Sequence, residues 1–207
     1  MSPHIRSLLG ASLLLLVPTS AAAHEEYEPP PPEGRPFRPH LEASIAAQYA
    51  LAVVGDRCAR ESEDVVGCTS IGLWAFDFAA RFRLAPQWAL GGLAQLGKGD
   101  ATALIRVGAE ARFHPLTSTV LDPWFGIDAG AAFLLDNVGS DSYTTAAPAF
   151  GASAGLDLTA SESVSLGLLV RLVVLPMADP GTTFERRPRY DTQLLLSVGL
   201  SATYRWS

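Results

Sequence analysis

The chain has 207 residues and a formal net charge of −6, with charged residues at 17%, against about 25% in ordinary soluble domains. That length leaves room for one domain after a leader, and the acidic balance argues against general nucleic-acid binding. Nothing after residue 23 approaches the roughly 18 consecutive apolar residues of a membrane helix, so the low charge needs another explanation.

The first 23 residues read as a secretory signal. Arg6 supplies the positive start, Leu8–Val17 the apolar core, and Ala21-Ala22-Ala23 the small residues of a cleavage site. The mature chain is expected to start near His24, without a lipid-anchored Cys. His24–His40 follows as a Pro-rich periplasmic lead-in, a spacer or a disordered tail, in which Pro29–Pro32 favours extended chain without strand pairing.

From Leu41 onward the pattern has a period of two. Leu41–Val53, Trp74–Leu84, Trp88–Leu96, Ala103–Phe113, Phe125–Leu135, Phe150–Leu158, Val164–Val174 and Thr192–Ser207 each place apolar residues at alternate positions. Val164–Leu175 also fits a buried helix, but its valines and flanking turn signals favour a strand. No apolar face carries a charge. The opposite faces hold Glu42, Asp77, Arg81, Arg83, Arg106, Glu110, Arg112, Asp128, Asp157, Arg171 and Arg205, interspersed with glycines. A soluble barrel with the apolar set inside would cover its outer face with Lys and Glu, whereas Lys98 is the only lysine here. The prediction for residues 41–207 is therefore an all-β, transmembrane, antiparallel up-and-down β-barrel of eight strands, apolar outside and polar inside.

The connections fit this orientation. Gly55–Ser70, Lys98–Thr102, Asp136–Pro148 and Met177–Asp191 face outward, and three of the four are long. Ala85–Gln87, Pro115–Asp122 and Ala160–Ser163 are periplasmic turns. Phe82, Trp88, Phe113, Trp124, Tyr204 and Trp206 would form a periplasmic aromatic girdle, and Trp74, Phe76, Phe133 and Phe150 an outer one.

The final strand resembles the assembly signal of bacterial outer-membrane barrels: Gly199, then Leu200, Ala202, Tyr204 and Trp206, with Ser207 after the aromatic that usually ends the signal. Arg106–Ala132 also resembles a hairpin of such proteins. At the level of pattern, Leu41–Ser207 is similar to the small OmpA/OmpX/OmpW-type proteins, without a peptidoglycan-binding domain. The resemblance implies a cell outer-membrane location, outer-membrane lipid and lipopolysaccharide as surroundings, assembly by the barrel machinery, and a monomer.

Cys58 and Cys68 lie in the first outer loop of an exported chain and are expected to form a disulfide. The mature chain's histidines are His24, His40 and His114, and none stands beside a serine motif suited to nucleophilic catalysis. No catalytic, cofactor or metal site is expected. The inward charges are either a static plug or a switching gate. Arg186, Arg187 and Arg189 in the fourth outer loop are candidates for lipopolysaccharide phosphates, or simply a solvated loop. The expected role is structural or surface-interaction. The alternatives are a narrow pore or carrier for small or hydrophobic solutes and, more weakly, an enzyme acting on lipid A.

Overall fold

A computed structural model describes residues 37–55, 57–60, 66–100, 102–116, 120–138, 141–177 and 189–206. The signal, most of the lead-in and Ser207 lie outside them. Among the described residues eleven strands form in chain order: β1 His40–Val54, β2 Arg57–Arg60, β3 Val66–Thr69, β4 Gly72–Ala85, β5 Trp88–Lys98, β6 Thr102–Phe113, β7 Leu121–Val138, β8 Asp141–Thr159, β9 Val164–Leu175, β10 Arg189–Tyr190 and β11 Gln193–Trp206. Eight of them close a barrel in the order β1-β11-β9-β8-β7-β6-β5-β4, every neighbouring pair antiparallel. They are the eight strands read from the alternation. The helical alternative for residues 164–175 is excluded by β9.

The register sets the shape. From Leu41, the partners Phe82, Leu90, Ala111, Ile127, Ala152, Leu172 and Leu196 lead back to β1 at Leu51, a stagger of ten residues. For eight strands this implies a tilt of about 40° and a backbone radius of roughly 8 Å, a lumen that side chains can fill.

The apolar set faces out. Leu41, Ile45, Tyr49, Trp74, Phe76, Ile127, Leu168, Val198 and Leu200 are exposed, while Arg81, Arg106 and Arg171 are at most 2% exposed. Such an inversion would be costly in water, where apolar surface is driven inward, and is favourable in hydrocarbon. The outward band is about 25 Å tall along the barrel axis, the height of a membrane barrel's apolar belt. Phe82, Trp88, Phe113, Tyr204 and Trp206 ring its lower edge, all exposed, with Trp88 packed on Phe113 at 5.0 Å and Tyr204 on Trp206 at 4.7 Å.

Trp124 does not belong to that ring. It is 1% exposed and lies in the lumen, with the Arg112 guanidinium 3.6 Å from its ring centroid. Since Phe125 faces out, its neighbour must face in. A side chain on Gly155 would come within 2.3 Å of this ring, so the glycine makes room for the indole.

The outer connections also depart from expectation. Asp136–Pro148 is no irregular loop: β7 and β8 run on as a hairpin, paired from Leu121↔Leu158 up to Val138↔Asp141. β8 pairs with β9 only from Phe150 to Thr159, so this hairpin rises beyond its neighbour. At the periplasmic side, Leu121 and Asp122 belong to β7 rather than to the preceding turn. The first and fourth outer loops contribute a separate three-stranded sheet, β10-β2-β3, in which Arg189 pairs with Cys58 and Tyr190 with Arg57.

Candidate functional site

The lumen is the barrel's one dense concentration of chemistry among the described residues. Because alternate residues of all eight barrel strands point inward, the tilt stacks their charges in layers.

At the periplasmic end, Arg83 Nη1 donates to Glu42 Oε1 at 3.4 Å and to Asp122 Oδ2 at 3.1 Å, and Arg83 Nη2 to the Pro86 carbonyl at 2.8 Å. Arg205 Nε lies 3.6 Å from Glu42, its register partner across the closing seam. His40 Nε2 is 3.2 Å from Glu42, and His114 Nδ1 is 2.8 Å from Asp122 Oδ1.

Above this layer, Arg81 Nε donates to Glu110 Oε2 at 2.5 Å and its Nη2 to Ser44 Oγ at 2.8 Å. Arg112 Nη2 reaches the other Glu110 oxygen at 3.2 Å. Asp157 is 4% exposed, beside Gly167, where a Cβ would come within 2.1 Å of the carboxylate.

Higher still, Arg171 bonds Asp77, donates through Nη2 to Glu110 Oε1 at 3.0 Å, and holds Nε 3.6 Å from Asp128 Oδ2. Arg106 pairs with Asp128. Gln48 Nε2 donates to Asp77 Oδ1 at 2.6 Å and accepts from Ser197 Oγ at 2.7 Å, linking β4 to the β1–β11 seam.

The inward charges inferred from sequence all lie in this column. Six arginines, at 81, 83, 106, 112, 171 and 205, face six carboxylates: Glu42, Asp77, Glu110, Asp122, Asp128 and Asp157. Each of the six guanidiniums is paired with a carboxylate, so the column's arginines are engaged inside it rather than free to attract a passing anion. Asp122 was missed in the sequence, although its alternation with Leu121 and Pro123 marks it as inward. Asp136 was missed too; it is buried at the outer end, where Thr102 Oγ1 donates to it at 2.6 Å.

The outer mouth is of different character. Ala50, Leu73, Leu104, Leu134, Val173 and Leu195 point inward from β1, β4, β6, β7, β9 and β11 and pack as one buried apolar cluster. An apolar collar thus sits over an ion-paired column.

Other sequence-derived candidates fall elsewhere. Gly199 is at the closing seam opposite Gln48, and a Cβ there would come within 2.4 Å of the Ala47 carbonyl. Tyr204 and Trp206 pair with Ala43 and Leu41 of β1, so the assembly-signal residues are those that shut the barrel. Cys58 and Cys68 are direct partners across the β2–β3 hairpin. Antiparallel partners have Cα atoms roughly 4.5–5.5 Å apart, inside the range a disulfide spans. Arg186 and Arg187 lie outside the described residues, whereas Arg189 is part of β10.

Chemically, the His114–Asp122 pair resembles the base and orienting carboxylate of a hydrolase, but among the described residues no hydroxyl or thiol bonds His114 Nε2. No three His, Cys, Asp or Glu side chains among them group as metal ligands.

No protein-family model and no curated protein matches the chain. Solved structures do. Neisserial surface protein A is similar at 13% identity with a TM-score of 0.59, over 81% of this chain and 97% of that one. The outer membrane protein OprG from Pseudomonas aeruginosa is similar at 8% identity and 0.54, over 81% and 96%. At such identities the likeness is one of fold: the chain has the closed eight-stranded transmembrane β-barrel architecture of the small bacterial outer-membrane proteins.

Proposed function

We propose that this is a monomeric, non-enzymatic barrel of a bacterial outer membrane, exported by its signal peptide, that acts as a structural and surface-interaction protein through its outer loops. The observation that carries the reading is the lumen: an ion-paired column beneath an apolar collar, in a barrel too narrow for a free channel. With the interior committed to holding the barrel, the surface left for partners is its outer rim. There the β7–β8 hairpin rises past β9, and β10-β2-β3 joins the first loop to the fourth. A Cys58–Cys68 disulfide would hold the centre of that sheet.

The test is a loop-shaved variant in which residues 56–69 and 178–191 are each replaced by a short turn and the β7–β8 hairpin is cut back to residues 135 and 144. Heat-modifiable, membrane-inserted variant should lose surface attachment of the producing cells while leaving small-solute uptake unchanged. Lost uptake with attachment retained would support the pore or carrier instead.

A further inference from the structure

Every outward-facing position of the eight barrel strands among the described residues is uncharged except one, Lys98, the chain's only lysine. Lys98 ends β5 and is exposed. Its register partner on β4 is Trp74, 67% exposed, and Trp74's partner on β1 is Tyr49, 43% exposed. Tyr49 and Trp74 pack edge to face at 5.1 Å. Gly72, next along β4, would clash with the Tyr49 hydroxyl if it carried a Cβ, which would lie 2.8 Å away. The Tyr49 hydroxyl thus lies over Gly72, in the space a side chain there would take. Among the described residues neither the Tyr49 hydroxyl nor the Lys98 ammonium has a hydrogen-bond or ion-pair partner, and exposed Asp100 in the adjoining turn is not paired with Lys98.

Height decides what such a row meets. Each step from β1 toward β4 and β5 climbs about 3 Å along the axis, so Lys98 stands roughly 25 Å above Leu41 at the opposite edge of the apolar belt. That is the level of the outer headgroups. A charge on the lipid face gains nothing from hydrocarbon, and at the interface it costs about 0–1 kcal/mol, so its position there is tolerated and available for a partner. An ammonium offers three donors and a positive charge, so among the groups at that level an anion is the best-matched partner. The anion of an outer leaflet built from lipopolysaccharide is the lipid A phosphate. We propose that Tyr49, Trp74 and Lys98 form a lipid A site on the barrel wall: the indole and phenol rings lie against the acyl-chain and sugar boundary, and Lys98 and the Tyr49 hydroxyl donate to a phosphate. The site is made of residues other than the fourth-loop arginines and rests on the outer-membrane placement.

The test is native mass spectrometry of folded, detergent-solubilised protein titrated with lipid A and with lipid A stripped of its phosphates. Wild type should retain the phosphorylated lipid more tightly. Lys98→Gln should weaken it about three- to tenfold, the range for an interfacial charge-assisted contact, and erase the preference. Lys98→Arg should keep it, and Trp74→Ala should weaken both lipids. Full preference in Lys98→Gln, or none in wild type, overturns the site. A preference lost only on replacing Arg186, Arg187 and Arg189 also overturns it. Either of these failures in protein that fractionates with the outer membrane would leave the membrane placement intact.

Discussion

Replacing Arg171 by methionine is the sharpest probe of the lumen. The side chain is 2% exposed and contacts three carboxylates, but their fates on its removal differ. Glu110 keeps Arg81 at 2.5 Å and Arg112 at 3.2 Å, and Asp128 keeps Arg106. Asp77 loses its one ion pair among the described residues and keeps neutral amides, Gln48 at 2.6 Å and its register partner Gln95, with the Arg106 charge nearby. Arg171→Met therefore leaves one carboxylate, 5% exposed, without an ion-pair partner, while Glu110 and Asp128 keep theirs. Breaking a buried pair from one side costs about 3–5 kcal/mol. Adding Asp77→Leu removes the orphaned charge and should restore most of the loss. The assay is equilibrium urea unfolding in lipid vesicles, read by heat-modifiable gel mobility and tryptophan fluorescence. A loss under about 1 kcal/mol, or a double variant no better than the single, would refute the reasoning. It would mean that water already screens these charges and that the column is a hydrated channel.

Three further outcomes follow from the same geometry. Ala129→Arg places a charge on the lipid face and should destabilise by about 2–4 kcal/mol in vesicle unfolding, whereas an unchanged midpoint would mean the faces are misassigned. Deleting residues 204–207 removes three register pairs from the β1–β11 seam and Arg205 from Glu42; since unpaired backbone in lipid costs several kcal/mol per group, cell fractionation should find little inserted protein. Reducing the proposed Cys58–Cys68 disulfide should withdraw roughly 2–3 kcal/mol from the first outer loop and expose it to protease, leaving barrel heat-modifiability unchanged; two freely alkylatable thiols in protein from oxidising membranes would refute the bond.

The barrel was legible because one physical rule runs its length. A strand in a closed membrane barrel alternates between lipid and lumen, so each residue's parity states its surroundings. Parity placed Arg81, Glu110 and Arg171 correctly before any partner was known. The same rule marked Trp124 as inward, but grouping the aromatics by position along the chain overrode it. The partners were not legible: Arg171 meets Asp77 across 94 residues of sequence through a register that only barrel closure sets. Short β2, β3 and β10 escape because four, four and two residues have too few alternations to show a period. The β7–β8 extension escaped for a related reason. Asn137, Ser142 and Thr144 face outward above the apolar belt, where the lipid that imposes the pattern is absent.

The central claim is that the lumen is closed by paired charges and an apolar collar, and single-channel recording in planar bilayers tests it most directly. Folded wild-type protein should insert without discrete conductance steps, and steps should arise when the collar is made small and polar by Leu73→Ser, Leu104→Ser and Leu134→Ser together with Arg171→Met. Stable, reproducible steps from wild type under the same conditions would contradict the closed lumen.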